Sequence, residues 1–417
     1  MNNKRVVITG LGAITPLGSS VDLFWNGLIS GKSGVRKITH FDASDLPCQI
    51  AGEIPDFNPE LFMERKESRR IPRCGQIGLA SAVQAMNDAG LPDYPPDKER
   101  SAVVFGTALG GIDQFDAGIT TLRTQGINRV SPFTIPFGIP NLTSFLIAKR
   151  FQCLGPNSTI VTACATGTQT IGEATELIRR GKADLVITGG TESLIMDFTV
   201  AGFCIMRALP INFNDKPELA SRPFDANREG FIVSEGAGAV VIEALDTAEK
   251  RGARIYAEII GQSASTDAFH IAQPDPDAQG AIRAMRWALE DAGIPADMID
   301  YINAHGTSTL LNDSTETKAI KHVFGEHAYR LAISSTKSMI GHAMGAAGAL
   351  EAIATVMTLV HGIIHPTINY STPDPECDLD YVPNKARQHP VNYALSNSFG
   401  LGGQNACLII KKFTDRD

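Results

Sequence analysis

The stretch STIVTACATGTQTIGEATELI, residues 158–178, is a short β-branched run that ends in a cysteine-bearing turn and opens into a helix-like run of small residues. A second stretch, LAISSTKSMIGHAMGAAGALEAIATVM at 331–357, has the same grammar. Both helical parts carry Ala and Gly on nearly all faces, which suits an interior position and not a solvated surface. The pair suggests a duplicated chain. Around the first stretch lie other apolar runs of strand length: VVITGLG at 6–12, AVVFGTA at 102–108, DLVITGGTES at 184–193 and AVVIEAL at 239–245. Around the second, after Arg254, lie YAEIIGQSAS, YINAHGTST, NYALSNSFG and ACLIIKK. Fully apolar strands alternating with helix-like runs predict an α/β fold whose sheet is covered on both faces. No Pro-rich or low-complexity linker divides the two series, so one compact body is expected; LPDYPPDKER at 91–100 reads as a surface loop.

The 417 residues suffice for roughly two to three average domains or one large duplicated one. Apolar residues make up 43% and charged residues 20%, which excludes a disordered or fibrous chain. With 37 Lys and Arg against 45 Asp and Glu the formal charge is −8, so bulk attraction to nucleic acid or anionic lipid is not expected. The seven cysteines form no CxxC pair and no even framework, which favours a reducing compartment. The N-terminal MNNKRVVITGLGAITPLG has no signal-like cleavage region, and no window of 18 apolar residues is read in the chain. A cytoplasmic protein without membrane insertion is the expectation.

Cys164, in TACATGT, stands at a strand end and a helix start. Unpaired N–H groups and the positive helix end favour thiolate there, so a lowered pKa and a nucleophile are expected. The competing reading is a small buried hydrophobe. Two histidines shift the balance: His305 in NAHGTST and His342 in SSTKSMIGHAMGAAG, each flanked by Gly and small hydroxyl residues. Lys337 lies in the same small-residue stretch, where an unpaired ammonium would be costly, and Glu351 is the carboxylate nearest in sequence. The loop NSFGLGGQNA at 397–406 can present backbone N–H groups to a developing oxyanion; standing alone it would read as a tight turn.

These segments, in the order Cys, His, Lys, His, Gly loop, resemble the β-ketoacyl-acyl-carrier-protein synthases, and among them the type II elongating (synthase II) group. The resemblance runs from VVITGLGAITPLG through RPFDANREGFIVSEGAGAVVIE to the C-terminal strand. It implies a thiolase fold, two similar α/β halves stacked as a five-layered αβαβα core, and usually a homodimer. The halves would be 1–255, with Cys164, and 256–417, with His305, Lys337, His342 and the Gly loop. Cys164 is then the acylated nucleophile, His305 and His342 complete the triad, and Lys337 with Glu351 is a supporting ion pair. The resemblance further implies an oxyanion hole from Cys164 and Leu401, and a malonyl side lined by Thr307 and Thr309. Phe203, Ile205, Phe399, Leu401 and Leu109 would line the acyl path, with Leu109 limiting chain length. It implies no metal or redox cofactor, because both acyl groups arrive on the phosphopantetheine of an acyl carrier protein. Carrier proteins are acidic, so a basic docking patch is expected on this acidic chain, at Lys66, Arg69, Arg70, Arg129 and Arg207. One departure stands out: the group usually has Phe at Leu401 and Thr or His at Gln404, so a smaller gate is expected here.

Other readings fare worse. GLGAITPLG lacks the third glycine of a dinucleotide loop, and Pro16 breaks the stretch where its helix would begin. HGIIH at 361–365 has no Glu between its histidines and is succeeded by Pro366, which speaks against zinc. A degradative thiolase would need a second cysteine in the Gly loop. A non-catalytic chain-length-factor subunit would lack Cys164. The ketosynthase of a type II polyketide or polyene pathway is the alternative within the same chemistry.

Overall fold

The computed structural model describes residues 4–414. The first three residues of the N-terminal stretch read above, and the last three of the chain, lie outside the described residues. Ten strands make the main sheet: β1 Val6–Ile14, β2 Ser101–Gly106, β3 Asn157–Ser158, β4 Leu185–Glu192, β5 Gly236–Ala244, β6 Ala257–Thr266, β7 Tyr301–Asn303, β8 Ala332–Ser334, β9 Tyr393–Gly400 and β10 Gln404–Lys412. Their order is β8-β7-β9-β10-β6-β1-β5-β4-β2-β3. Numbered within its own half, each set of five therefore has the order 3-2-4-5-1.

The directions repeat as well. In the first half β3, β2 and β4 pair parallel, then β4–β5 and β5–β1 pair antiparallel. In the second half β8, β7 and β9 pair parallel, then β9–β10 and β10–β6 pair antiparallel. The two halves are thus one topology used twice. They join where Val6, Val7 and Ile8 pair antiparallel with Ile259, Glu258 and Ala257. At that seam Arg5 Nε and Nη2 each donate to Glu258, at 2.8 and 2.6 Å.

Five helices frame the sheets: α1 Arg73–Asp88, α2 Thr166–Arg179, α3 Gln279–Ala292, α4 Leu310–Phe324 and α5 Ala347–His361. Helix α1 packs on β1, β5 and β4, and α3 packs on β6 and β10, so these are outer layers. Helices α2 and α5 touch each other and strands of both halves, which makes them the middle layer. The result is the αβαβα thiolase stack. Its two sheets are continuous along one edge, since β1 and β6 pair across the seam. Side-chain patterns reflect these places. The outer helix α3 buries one face, with Ala281, Ala284, Met285 and Ala288 at helical spacing, whereas α5 is buried at every position from 347 to 359. A Cβ on Gly167 would lie 2.5 Å from Ala349 N, and one on Gly348 would lie 2.5 Å from Thr168 N. The two middle helices therefore cross at backbone contact, which only glycine permits.

One sequence expectation is corrected here. An 18-residue window, Met344–His361, does reach the length and mean hydropathy, 1.4, of a membrane span. It is 89% buried, because a helix between two sheets must be apolar all round. The seven cysteines are all free.

Candidate active site

The chain leaves β3, makes a 3₁₀ turn at Ala163–Ala165 and enters α2. Ala163 has φ +48°, in the left-handed region that L side chains rarely adopt. Such strain at a turn between strand and helix raises the next side chain, Cys164, out of both elements. The turn is held by Thr162 N–H donating to Thr166 Oγ1 at 2.8 Å. Cys164 is 5% exposed, and its Sγ lies 3.9 Å from Met344 Sδ.

The histidines come from the other half of the fold. His305 comes after β7, and His342 sits before α5, its N–H donating to Ile232 O at 2.7 Å. A ring nitrogen of each histidine and Cys164 Sγ all lie within 4.8 Å of one another. The ring centroids are 5.4 Å apart at 85°. Lys337 Nζ donates to His305 Nδ1 at 3.2 Å and to His305 O at 2.7 Å, and it pairs with Glu351. Lys337 is 1% exposed and Glu351 fully buried, so neither ion could stand there alone.

Hydrogen bonds fix both tautomers. His342 Nδ1 accepts from Met344 N–H at 3.3 Å, and His305 Nδ1 accepts from Lys337. Each proton must then sit on Nε2. His342 Nε2 is buried and has no partner among the described residues, so its N–H is an unsatisfied donor beside Cys164. Burial holds both imidazoles well below the ordinary histidine pKa, and the Lys337 charge pushes the same way. Both are neutral donors at pH 7. The same bonds oppose a metal between the three groups: an imidazole ligating through Nε2 needs a proton on Nδ1, where Met344 N–H and Lys337 already donate.

The thiol differs from the sequence expectation. Burial pushes Cys164 up to about 11, against the pull of the Leu401 and Cys164 N–H groups and the Lys337 charge. Desolvation outweighs the backbone donors, so the resting group is a thiol. Those two N–H groups, of Cys164 and Leu401, are the pair that the family resemblance assigns to an oxyanion hole.

A cavity of about 430 Å³ opens on Cys164 and is lined by His305, His342, Thr307, Thr309, Phe399, Leu401 and Phe203 among others. Thr307 and Thr309 share a hydrogen bond of 3.0 Å. Arg207 and Met206 line its mouth. Leu109 and Ile205 do not line this cavity: they are 43% and 85% exposed. Leu401 is 38% exposed at its edge. Lys66, Arg69, Arg70 and Arg129 are exposed, and Arg70 lies over the Phe133 ring at 5.8 Å. In HGIIH, His361 stacks on Trp25 while His365 is buried among Tyr301, Ser334 and Thr336.

Sequence reasoning missed two carboxylates. Glu316 on α4 accepts from the N–H groups of His305 and Gly306, both at 2.8 Å, and so holds the turn that carries His305. Burial pushes its pKa up to about 7. A signal existed: Asp313, Glu316, Thr317 and Ile320 occupy the buried stripe of α4, where an acid needs a reason. Glu192, at the end of β4, is the other.

The family model of the β-ketoacyl synthase N-terminal domain matches residues 3–248, and that of the C-terminal domain matches 256–371. The chain belongs to the β-ketoacyl synthase family. It is 48% identical over 413 residues to 3-oxoacyl-(acyl-carrier-protein) synthase 2 of Synechocystis sp., covering 99% of each chain. It is 47% identical over 415 residues to the protein of that name from Coxiella burnetii, covering 100% of each. Among solved structures, a β-ketoacyl synthase from Burkholderia phymatum superposes with TM-score 0.92 at 36% identity, over 99% of this chain and 100% of that one. A type II polyketide ketosynthase in complex with its acyl-carrier protein, AntDE:AntF, superposes with TM-score 0.90 at 34% identity over the same shares. This β-ketoacyl synthase is thus a condensing transferase in which both halves supply the site: Cys164 from the first, the histidines and Lys337 from the second.

Proposed function

We propose that this β-ketoacyl synthase condenses a malonyl thioester with an acyl group held on Cys164, in fatty acid elongation, with both groups delivered by an acyl carrier protein. The observation that carries this reading is the pair of neutral imidazoles, each with its proton directed to Nε2, beside a thiol that faces two backbone N–H donors.

That geometry supports the following reaction. The Cys164 sulfur, on losing its proton, attacks the acyl thioester; the Leu401 and Cys164 N–H groups hold the oxyanion, and the carrier thiol leaves with a proton. The malonyl thioester then loses CO₂, and its carbonyl oxygen takes the developing enolate charge under the two Nε2–H donors. A neutral imidazole stabilises that charge without surrendering its proton. The enolate carbon attacks the acyl-Cys164 carbonyl, the C–S bond breaks, and the sulfur leaves as thiolate and takes a proton from solvent. The cycle needs no metal or redox group.

The exposed cations at the cavity mouth and on 65–70 support docking of an acidic carrier. The short edge strand β3, flanked by exposed Phe145, Leu154 and Val161, supports pairing with a second copy. A polyketide ketosynthase is not better supported: the polyketide neighbour is 34% identical, against 48% for the Synechocystis synthase 2. Half-reactions test the proposal. Cys164→Ala abolishes elongation but keeps malonyl-carrier-protein decarboxylation, whereas His305→Ala and His342→Ala each lower decarboxylation by about 10²–10³. Undiminished decarboxylation in His342→Ala overturns the role given to that ring.

A further inference from the structure

Glu192 takes no part in the steps above, yet it is fully buried at the point where the two halves meet beside the site. Its carboxylate accepts from Thr107 Oγ1 at 3.0 Å and from the N–H groups of Ala108 at 2.6 Å and Leu109 at 3.4 Å, all on the turn after β2. It also accepts from Gly345 N–H at 3.1 Å, on the turn that carries His342 and Met344. No cation pairs with it among the described residues. Burial pushes this carboxyl up to about 7 against the pull of those donors, and four donors with no counter-ion leave it to bind backbone to backbone.

The two turns have little room to do otherwise. A Cβ on Gly345 would lie 2.5 Å from Ala108 N and 2.7 Å from Glu192 Oε2. Met344, between Gly345 and the ring it orients, has φ +42°, gives its N–H to His342 Nδ1 and lays its sulfur against Cys164. The chain of contacts is short: Glu192 to Gly345, the adjoining Met344 N–H to His342 Nδ1, and His342 Nε2 to the substrate.

We infer that Glu192 is a positioning residue, which clamps the His342 turn of one half onto the Thr107–Leu109 turn of the other and thereby aims His342 Nε2–H at the malonyl carbonyl. This rests on the condensing reading. A purely structural carboxylate would affect every step alike. A positioning carboxylate acts on the step that uses His342 and spares acyl transfer to Cys164, whose oxyanion donors lie elsewhere.

The experiment compares wild type, Glu192→Gln and Thr107→Val. Glutamine keeps the shape but turns an NH₂ toward N–H donors; valine removes one donor and leaves the carboxylate. Three readouts are taken: malonyl-carrier-protein decarboxylation kcat and KM, the rate of Cys164 acylation by mass spectrometry, and the ¹⁵N resonances of His342 Nδ1 and Nε2. Misplacement of a reacting group predicts a fall in decarboxylation kcat of about 10- to 100-fold in Glu192→Gln, with KM and acylation nearly unchanged and the His342 Nδ1 resonance moved. Thr107→Val shifts the same readouts in the same direction by less, and decides the matter if the glutamine variant does not fold. Equal losses in acylation and decarboxylation, or an unmoved His342 resonance in a folded variant, overturn the inference. The nitrogen resonances report on the clamp even if wild type decarboxylates no malonyl thioester, a result that would instead overturn the condensing reading.

Discussion

At the scale of single residues, burial and donors decide what each group can do. A Cys164 thiol raised to about 11 predicts that alkylation by iodoacetamide climbs steadily with pH. The thiolate fraction grows about ten-fold per pH unit below the pKa, so the rate at pH 9 should be about 100 times that at pH 7. A plateau between pH 6 and 8 would mean a preformed thiolate. The sequence shows the cysteine, its turn and its helix, because these are local. It could not show the sign of the shift, since desolvation depends on Met344 and the Gly loop, 180 and more residues away. The imidazole tautomers were illegible for the same reason: each is fixed by a donor whose position only the fold supplies.

At the scale of elements, the strand–turn–helix units were readable from their small residues and β-branched runs, but their crossings were not. Gly348→Ala would place a methyl against the Thr168 backbone, and the two middle helices cannot move apart there without lifting Cys164. Overpacking of this kind typically costs about 1–3 kcal/mol, so a lower denaturation midpoint is expected. Strands β7 and β8 are tied by a residue outside the site, the buried His365, which meets Tyr301 OH, Ser334 Oγ and Thr336 Oγ1. Burial lowers it to about 4. The unfolded chain protonates this ring below about pH 6.5 and the native one does not, so its contribution is present above that pH and lost as pH falls toward 4. Relative to His365→Gln, wild type should therefore lose about 3 kcal/mol of stability between pH 7 and pH 4. An unchanged difference between the two proteins would show that the ring titrates normally. For Glu316 the visible hint was a titratable residue on the buried stripe of α4, and its partners were not visible.

At the scale of the whole molecule, duplication was legible in two stretches of similar grammar, and the repeated strand order makes it explicit. The continuity of the sheet through β1 and β6 was not, because a three-residue pairing leaves no pattern in sequence. Charge acts at this scale too. A chain of net charge −8 that receives an acidic carrier protein must do so through local cations. Reversing Lys66, Arg69 and Arg207 should raise KM for carrier-bound substrate, leave small pantetheine thioesters nearly unaffected, and matter less at high salt. Equal losses with both substrates would point away from docking. The central claim, that the acyl chain rests on Cys164 and is extended there by the enolate, is tested by one peptide mass measurement. After incubation with an acyl carrier protein bearing the primer, the acyl mass should sit on the peptide containing Cys164, and malonyl-carrier protein should clear it as a β-ketoacyl product two carbons longer appears. An acyl group on any other residue, or one that malonyl-carrier protein leaves in place, would contradict the account.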